Sequence, residues 1–395
     1  MTILKNVSRR NFMAGSVAAL APMAIPRLAW PSAQAGQAAK GGTVIRRVLG
    51  RTGLEIPVVS MGVMNADNPA VLHESYKAGV RLFDTSVRYQ AGRNEEMIGS
   101  VVKSLGARKD IIIQTKIPVP RLPETATAED VSRQFLSDLD SSLKRLQTDY
   151  VDILLIHGPD VAGMNNPGVM KALEEAKKQK RARFIGFATH AVITDMLNDA
   201  VRSKFYETIT LSFNFTNAGD SALIAAIKKA AASGIGIIAM KTQATGRRGA
   251  PSAGPVNHTA ALKWVLHHPE ITTTIPGYTT FDHLKENFSV AYGLAYTDEE
   301  KRFLSDRNLL AQMRFCRQCS QCRPSCPMGV DIPSLMRTHM YAACYGNFIQ
   351  ARETFDDIQQ TAGLNLCSDC SVCKAACARN IDIPGHIRDL KSMYL

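Results

Sequence analysis

Between residues 44 and 295, short apolar runs alternate with amphipathic stretches. The runs are VVSMG from Val58, RLFDTS from Arg81, IIIQTK from Ile111 and VDILLIH from Val151, followed by FIGFATH from Phe184, TITLSF from Thr208, GIIAMK from Gly236 and TTTIPG from Thr272. They are short and rich in β-branched residues, so each predicts a buried strand. Intervening segments such as EDVSRQFLSDLDSSLKRL carry apolar residues at three- and four-residue spacing and predict helices. Eight strand–helix alternations over about 250 residues match one α/β domain of the (β/α)8 TIM barrel type. A doubly wound sheet is the competing architecture, but no GxGxxG follows the first strand. Ahead of the barrel, TVIRRVLGRTGLEIP predicts a hairpin capping its closed end. Residues 296–313 predict a connecting helix. In residues 314–395, PSLMRTHMYAACYGNFIQARETFDDI returns to helical spacing, interrupted at Gly346, and predicts a second, mostly α-helical domain.

The first 35 residues follow another pattern. Lys5, Arg9 and Arg10 precede a mildly apolar run from Phe12 to Ile25, and Ala33-Gln34-Ala35 offers a cleavage site before Gly36. No acidic residue interrupts them. This predicts an export signal over residues 1–35 and a linker over 36–43. The stretch SRRNFM resembles a twin-arginine signal, which implies a protein exported after folding around a cofactor, to the periplasm; a cytoplasmic amphipathic start is the alternative. Gly15, Pro22 and Pro26 break the apolar run, so no transmembrane span is expected in the mature chain. The formal charge is +12, with no basic run or base-stacking aromatic motif, so nucleic-acid binding is not expected. A generally basic surface suits acidic partners or a membrane surface.

Eight of the nine cysteines fall in two matched runs of the form C-x2-C-x2-C-x3-C. They are Cys316, Cys319, Cys322 and Cys326, followed by Pro327, and Cys367, Cys370, Cys373 and Cys377. This spacing lets three thiolates of one turning backbone converge on one centre. Structural zinc sites prefer two separated pairs, and thiols at i, i+3 and i+6 bridge badly as disulfides. The spacing is that of bacterial ferredoxins with two [4Fe–4S] clusters, in which the fourth cysteine of each run ligates the other cluster. On that rule Cys377 joins the first three cysteines and Cys326 joins Cys367, Cys370 and Cys373. Local closure of each run uses the same eight residues and stays open. Cys344 reads as a small buried hydrophobe. Asp331–Pro333 and Asp382–Pro384 repeat a DIP motif leading into helix-like segments, so the tail resembles the helical type of two-cluster ferredoxin domain. Arg317, Arg323, Lys374 and Arg379 lie among the cysteines, either raising the cluster potentials or solvated at the surface.

Polar residues cluster at the carboxyl ends of the predicted strands. Asp84 ends the second, Lys116 the third and His157 the fourth, and Tyr89 follows Asp84 in the next loop. In a barrel these ends meet at one mouth. FDTSVRYQAGRNEEMIG, IIIQTKI and DYVDILLIHGPD resemble the aldo-keto reductases across the whole barrel. The resemblance implies a catalytic tetrad of Asp84, Tyr89, Lys116 and His157. Tyr89 would pass a proton to the developing alkoxide, its phenol lowered from about 10 by Lys116. Asp84 would hold the ammonium charged and His157 would orient the carbonyl oxygen. For a nicotinamide the resemblance implies contacts from Asn214, Lys241, Gly277, Glu286 and Asn287. Ala188 and Thr189 replace the family's Ser-Asn pair, Met240 its stacking tyrosine and His283 its phosphate-binding cation, so NAD, NADP and no nicotinamide all stay open. His190 stands near the mouth, His267 and His268 read as a helix end, and Arg88, Gln90 and Arg93 suggest a polar or anionic ligand.

Together these features predict an iron–sulfur oxidoreductase that interconverts a small carbonyl and alcohol. Its electrons would pass through two [4Fe–4S] clusters or a nicotinamide, to or from an electron carrier or the membrane quinone pool. The alternatives are an electron-transfer or binding protein with the barrel as scaffold, and an ordinary NADPH-dependent reductase with structural clusters.

Overall fold

The computed structural model describes residues 42–244, 256–308, 316–370 and 372–395. The predicted signal, residues 1–35, and most of the linker lie outside the described residues. Barrel and tail belong to one compact unit, Gly41–Leu395.

Strands β1 (Arg46–Val48) and β2 (Glu55–Pro57) form the expected antiparallel hairpin. The barrel strands are β3 (Met61–Gly62), β4 (Leu82–Asp84), β5 (Ile112–Ile117), β6 (Val151–His157), β7 (Ala182–Thr189), β8 (Thr208–Ser212), β9 (Gly236–Met240) and β10 (Ile271–Thr274). Each pairs in parallel with its sequence neighbours. Parallel bridges Val59–Thr274 and Gly62–Gly277 join the first strand to the last, with the Ser60 N–H donating to the Thr274 carbonyl at 2.8 Å. That order is a barrel and excludes the doubly wound sheet. Helices follow the strands, the longest being Ala128–Leu146, opened by a reciprocal Thr127–Asp130 capping box.

Strand alternation sorts the barrel's residues. Phe83, Leu154, Ile156, Ile209, Leu211, Ile237 and Ala239 face outward beneath the helices. Leu82, Ile153, Leu155 and Ile238 face inward, packed with Leu49, Leu54 and Ile56 of the hairpin. The hairpin therefore plugs the amino end. Gly50 takes φ +48°, and a Cβ there would come within 2.3 Å of the Gly236 nitrogen. Further along the same inward rows the residues turn polar: Asp84, Gln114, Lys116, His157, Thr210 and Ser212. One end of the barrel is thus an apolar plug and the other a polar mouth.

The expected connecting segment, residues 296–313, opens with a helix. A Thr297–Glu300 capping box opens Asp298–Ser305, and Asp306, with φ −72° and ψ 94°, ends it. Residues 309–315 lie outside the described residues. The tail contains helices Ile332–His339, Phe348–Asp356 and Ile383–Tyr394 and a π-helical turn at Met340–Cys344. The repeated DIP motif is a helix start: the side chains of Asp331 and Asp382 accept from the Ser334 and Gly385 amides, and proline sits in the first turn. Cys344 lies in the π-helical turn and is half-buried rather than buried.

The tail lies on the polar mouth. Asp357 pairs with Arg88 and, at 2.6 Å, with Arg121. Asn347 Nδ2 donates to Asn65 Oδ1 at 2.7 Å, and Arg317 donates to the Thr216 carbonyl. All four barrel partners sit in loops after strands, at the carboxyl end.

Candidate active site

The four residues expected at the mouth meet there. Lys116 Nζ lies 2.7 Å from Asp84 Oδ1, donates to the Thr85 carbonyl at 2.7 Å and reaches Tyr89 Oη at 3.4 Å. Gln114 Nε2 also donates to Asp84 Oδ1, at 2.6 Å. His157 Nδ1 stands 2.8 Å from Ser86 Oγ, and its ring meets Tyr89 edge-on with centroids 5.8 Å apart. Gln114 and Ser86 were missed as site residues. Gln114 shares the inward row of Lys116, and Ser86 stands two residues past Asp84; those were the available signals.

Burial governs the proton affinities. It lowers Lys116, opposed by the Asp84 carboxylate beside it. It holds His157 well below the usual histidine range, helped by Lys116 and Arg88, so the imidazole is neutral. Tyr89 corrects the expectation that its phenol is lowered. Burial pushes it well above 10, and the carboxylates of Asp84 and Glu353 add to the rise. Glu353 arrives from the tail. In this closed arrangement Tyr89 is a protonated donor.

Behind His190 and Lys241, on which His157 and Lys116 act electrostatically, lies a cavity of about 260 Å³ that none of the tetrad side chains lines. His190, Ser212 and Lys241 line its barrel side, and Cys316, Arg337 and Tyr345 its tail side. His190 Nδ1 is 2.9 Å from Ser212 Oγ. Lys241 Nζ sits 4.7 and 4.5 Å from the ring centroids of Tyr341 and Tyr345. Burial first, then Arg337 and Lys116, bring Lys241 down to about 7. The sequence carried no local signal that Arg337 and Tyr345 would join this wall.

The residues expected to read a nicotinamide are mostly engaged within the chain. Asn214 caps its own turn and donates to the Lys241 carbonyl at 3.0 Å. Asn287 donates to the His283 carbonyl at 2.8 Å and accepts from Gln243. Glu286 faces His258 at 3.3 Å, and Gly277 belongs to the barrel-closing bridge. Thr189 turns its hydroxyl to the Ala191 carbonyl at 3.0 Å, and Lys241 faces the tail tyrosines. In this arrangement most of these side chains are paired within the chain.

The thiols fit an iron–sulfur group. Cys316, Cys319, Cys322 and Cys377 line one small cavity, and Cys377 acts electrostatically on Cys322. Cys326 likewise acts on Cys367, together with Cys373 and Cys370. The Ala376 amide donates to Ser325 Oγ at 2.9 Å, tying the ends of the two runs together. This grouping sets Cys377 beside the first run and Cys326 beside the second. Among the described residues no three His, Cys, Asp or Glu side chains close on a single ion. Gln318 donates to Cys316 Sγ from its amide at 3.4 Å and from Nε2 at 3.2 Å, and the Arg379 amide donates to Cys377 Sγ at 3.4 Å. Such bonds stabilise ligating thiolates. Burial pushes the free Cys316 thiol up to about 11, so its thiolate depends on a metal centre.

Comparison with known proteins agrees with this division. The family model described as "Aldo/keto reductase family" matches residues 60–250, and that described as "4Fe-4S dicluster domain" matches residues 315–382. The chain is 27% identical to L-galactose dehydrogenase of Arabidopsis thaliana over 298 residues, 66% of this chain and 92% of that protein. It is 22% identical to the uncharacterized oxidoreductase YqkF of Bacillus subtilis, across 66% of this chain and 95% of that one. Among solved structures, the holo form of aldo-keto reductase AKR11C1 from Bacillus halodurans superposes with a TM-score of 0.55 at 21% identity, covering 66% of this chain and 95% of that one. An aldo/keto reductase from Klebsiella pneumoniae in complex with NADP and acetate gives 0.54 at 18% identity, covering 66% and 95%. These structural likenesses show the fold.

Proposed function

Given that this oxidoreductase joins an aldo/keto reductase barrel to a 4Fe-4S dicluster domain, we propose that it interconverts a small carbonyl and its alcohol at the covered barrel mouth, with Tyr89 as acid and base. The observation that carries the reading is the Tyr89 hydroxyl, 3.4 Å from a Lys116 ammonium clamped by Asp84 and the Thr85 carbonyl, under a lid that carries the cysteines. Lys116 holds its position because its remaining donors are satisfied, so its charge stays beside the phenol as a proton leaves or returns. His157, neutral and anchored through Nδ1 by Ser86, keeps Nε2 for the substrate oxygen. The tail excludes water from both groups, which strengthens these interactions.

Cys316, Cys319, Cys322 and Cys377 would hold one [4Fe–4S] cluster at the cavity wall, and Cys326, Cys367, Cys370 and Cys373 a second. Bound clusters would supply one-electron transfer. Two electrons from an external redox partner such as a carrier protein or a quinol, with two protons, one of them passed by Tyr89 to the oxygen, would balance reduction of a carbonyl to its alcohol. No step is assigned to a nicotinamide. Replacing Tyr89 with Phe in anaerobically purified, cluster-loaded protein tests the assignment. Turnover of a carbonyl and alcohol panel should fall by about 100-fold or more, with the visible iron–sulfur absorption unchanged. Turnover that survives the substitution would instead make the barrel a scaffold.

A further inference from the structure

Two cations at the covered mouth have no acidic partner. Lys241 packs against Tyr341 and Tyr345, and Arg337 stands on the opposite wall of the same cavity. Among the described residues neither has a carboxylate at ion-pair distance; Asp84 acts on Lys241 from further off but is clamped by Lys116. The other positive groups nearby are accounted for. Lys116 is held by Asp84, and Arg317 donates to the Thr216 carbonyl and is faced by Asp220. Arg379 is exposed beside the Cys377 thiol, and His190 is neutral because burial and neighbouring cations hold it well below the usual histidine range. Two acids share the lining but not this role: Asp195 is exposed, and Asp220 caps a helix by accepting from the Leu223 amide at 3.2 Å. Both are half-buried, and two like charges facing one cavity repel each other, so an anion placed between them is favoured.

We propose that this cavity takes substrates bearing a carboxylate, held between Lys241 and Arg337, with the reacting carbonyl or alcohol carbon directed to Tyr89 and His157. The substrate class is a small oxo or hydroxy carboxylic acid. This inference rests on the carbonyl–alcohol reading above and adds its specificity. Lys241 provides one point charge, and Arg337 a planar fork matched to a carboxylate. Tyr345 and Met340 give the remaining wall an apolar face for a short carbon chain. About 260 Å³ suits a ligand of a few heavy atoms.

Calorimetric titration of the cluster-loaded protein under anaerobic conditions tests this directly. The probes are 2-oxobutanoate and 4-oxopentanoate, the amide of each, and inorganic phosphate. At least one oxo acid should bind about tenfold or more tighter than its own amide and than phosphate. Lys241→Met and Arg337→Gln should each weaken that acid by about tenfold and leave amide binding unchanged, while Lys241→Arg should retain most of it. The iron–sulfur absorption of each variant reports that the fold is intact. Equal binding of acid and amide, phosphate binding as tight as the acid, or unchanged affinity in both charge-removing variants would each overturn the proposal. Tyr89→Phe keeps the two ideas apart. If it abolishes turnover of neutral carbonyls while no acid binds in the wild type, the carboxylate site is wrong and the tyrosine assignment stands. If it turns over normally while acids bind as expected, the reverse holds.

Discussion

Glu353 is the tail's own carboxyl at the barrel tyrosine. Burial pushes it up to about 7, with Arg88 opposing and Asp357 and Asp356 adding, and its Oε2 has no hydrogen-bond partner among the described residues. The folded state therefore holds a proton between pH 4.5 and about 7 that the unfolded chain has released. Its contribution to stability is fully present below 4.5 and is lost as pH rises through about 7. Glu353→Gln keeps the shape without the charge. It should raise the melting temperature at pH 8 and lose that advantage towards pH 5. The residue is partly exposed, so the gain at pH 8 should be about 1–2 kcal/mol and not the full shift. A stabilisation independent of pH would contradict this. At this scale the tetrad was legible because three of its members end inward-facing strand rows. Lys241 was expected only as a nicotinamide contact, from the family resemblance. Its role follows from Tyr341 and Tyr345, about a hundred residues later, and no local pattern links them.

Elements show which end of the barrel does what. The inward rows run from Leu82 to Asp84 and from Ile153 through Leu155 to His157, so apolar packing and chemistry occupy successive layers. The hairpin belongs wholly to the packed end. Gly50 is at positive φ with the Gly236 nitrogen where its Cβ would go. Gly50→Ala should lower stability by about 1–3 kcal/mol, read from a denaturant midpoint, while the turnover rate stays within about twofold of wild type. A marked loss of turnover in folded protein would mean the plug shapes the mouth. Short apolar runs rich in β-branched residues predicted all eight barrel strands, and the proline-led DIP repeats marked two tail helices. The break at Asp306 was not predicted, because its extended backbone answers to no proline or glycine.

For the molecule as a whole, the decisive contact is the tail's seat on the mouth. Asp357 reaches both Arg88 and Arg121, next to the turn that carries Tyr89. Asp357→Ala removes that latch and leaves a half-buried Arg88 without its counterion, a loss of about 1–3 kcal/mol in docking. Hydrogen exchange in residues 86–92 should quicken by about tenfold or more, while the barrel helices stay protected. Unchanged exchange there would show that the lid is held by other contacts.

By itself the sequence determined what depends on short-range regularity: strand and helix periods, the hairpin, helix caps, the spacing of eight thiols and the polar strand ends. Each of these is a relation between residues a few positions apart, so it can be read from the chain directly. Only the tertiary structure decided that Cys377 stands with the first cysteine run, that Tyr89 is buried beneath Glu353, and that Lys241 and Arg337 share one cavity. Those relations join segments far apart in the chain, and burial between them, absent from any local pattern, sets the charges on which the chemistry depends.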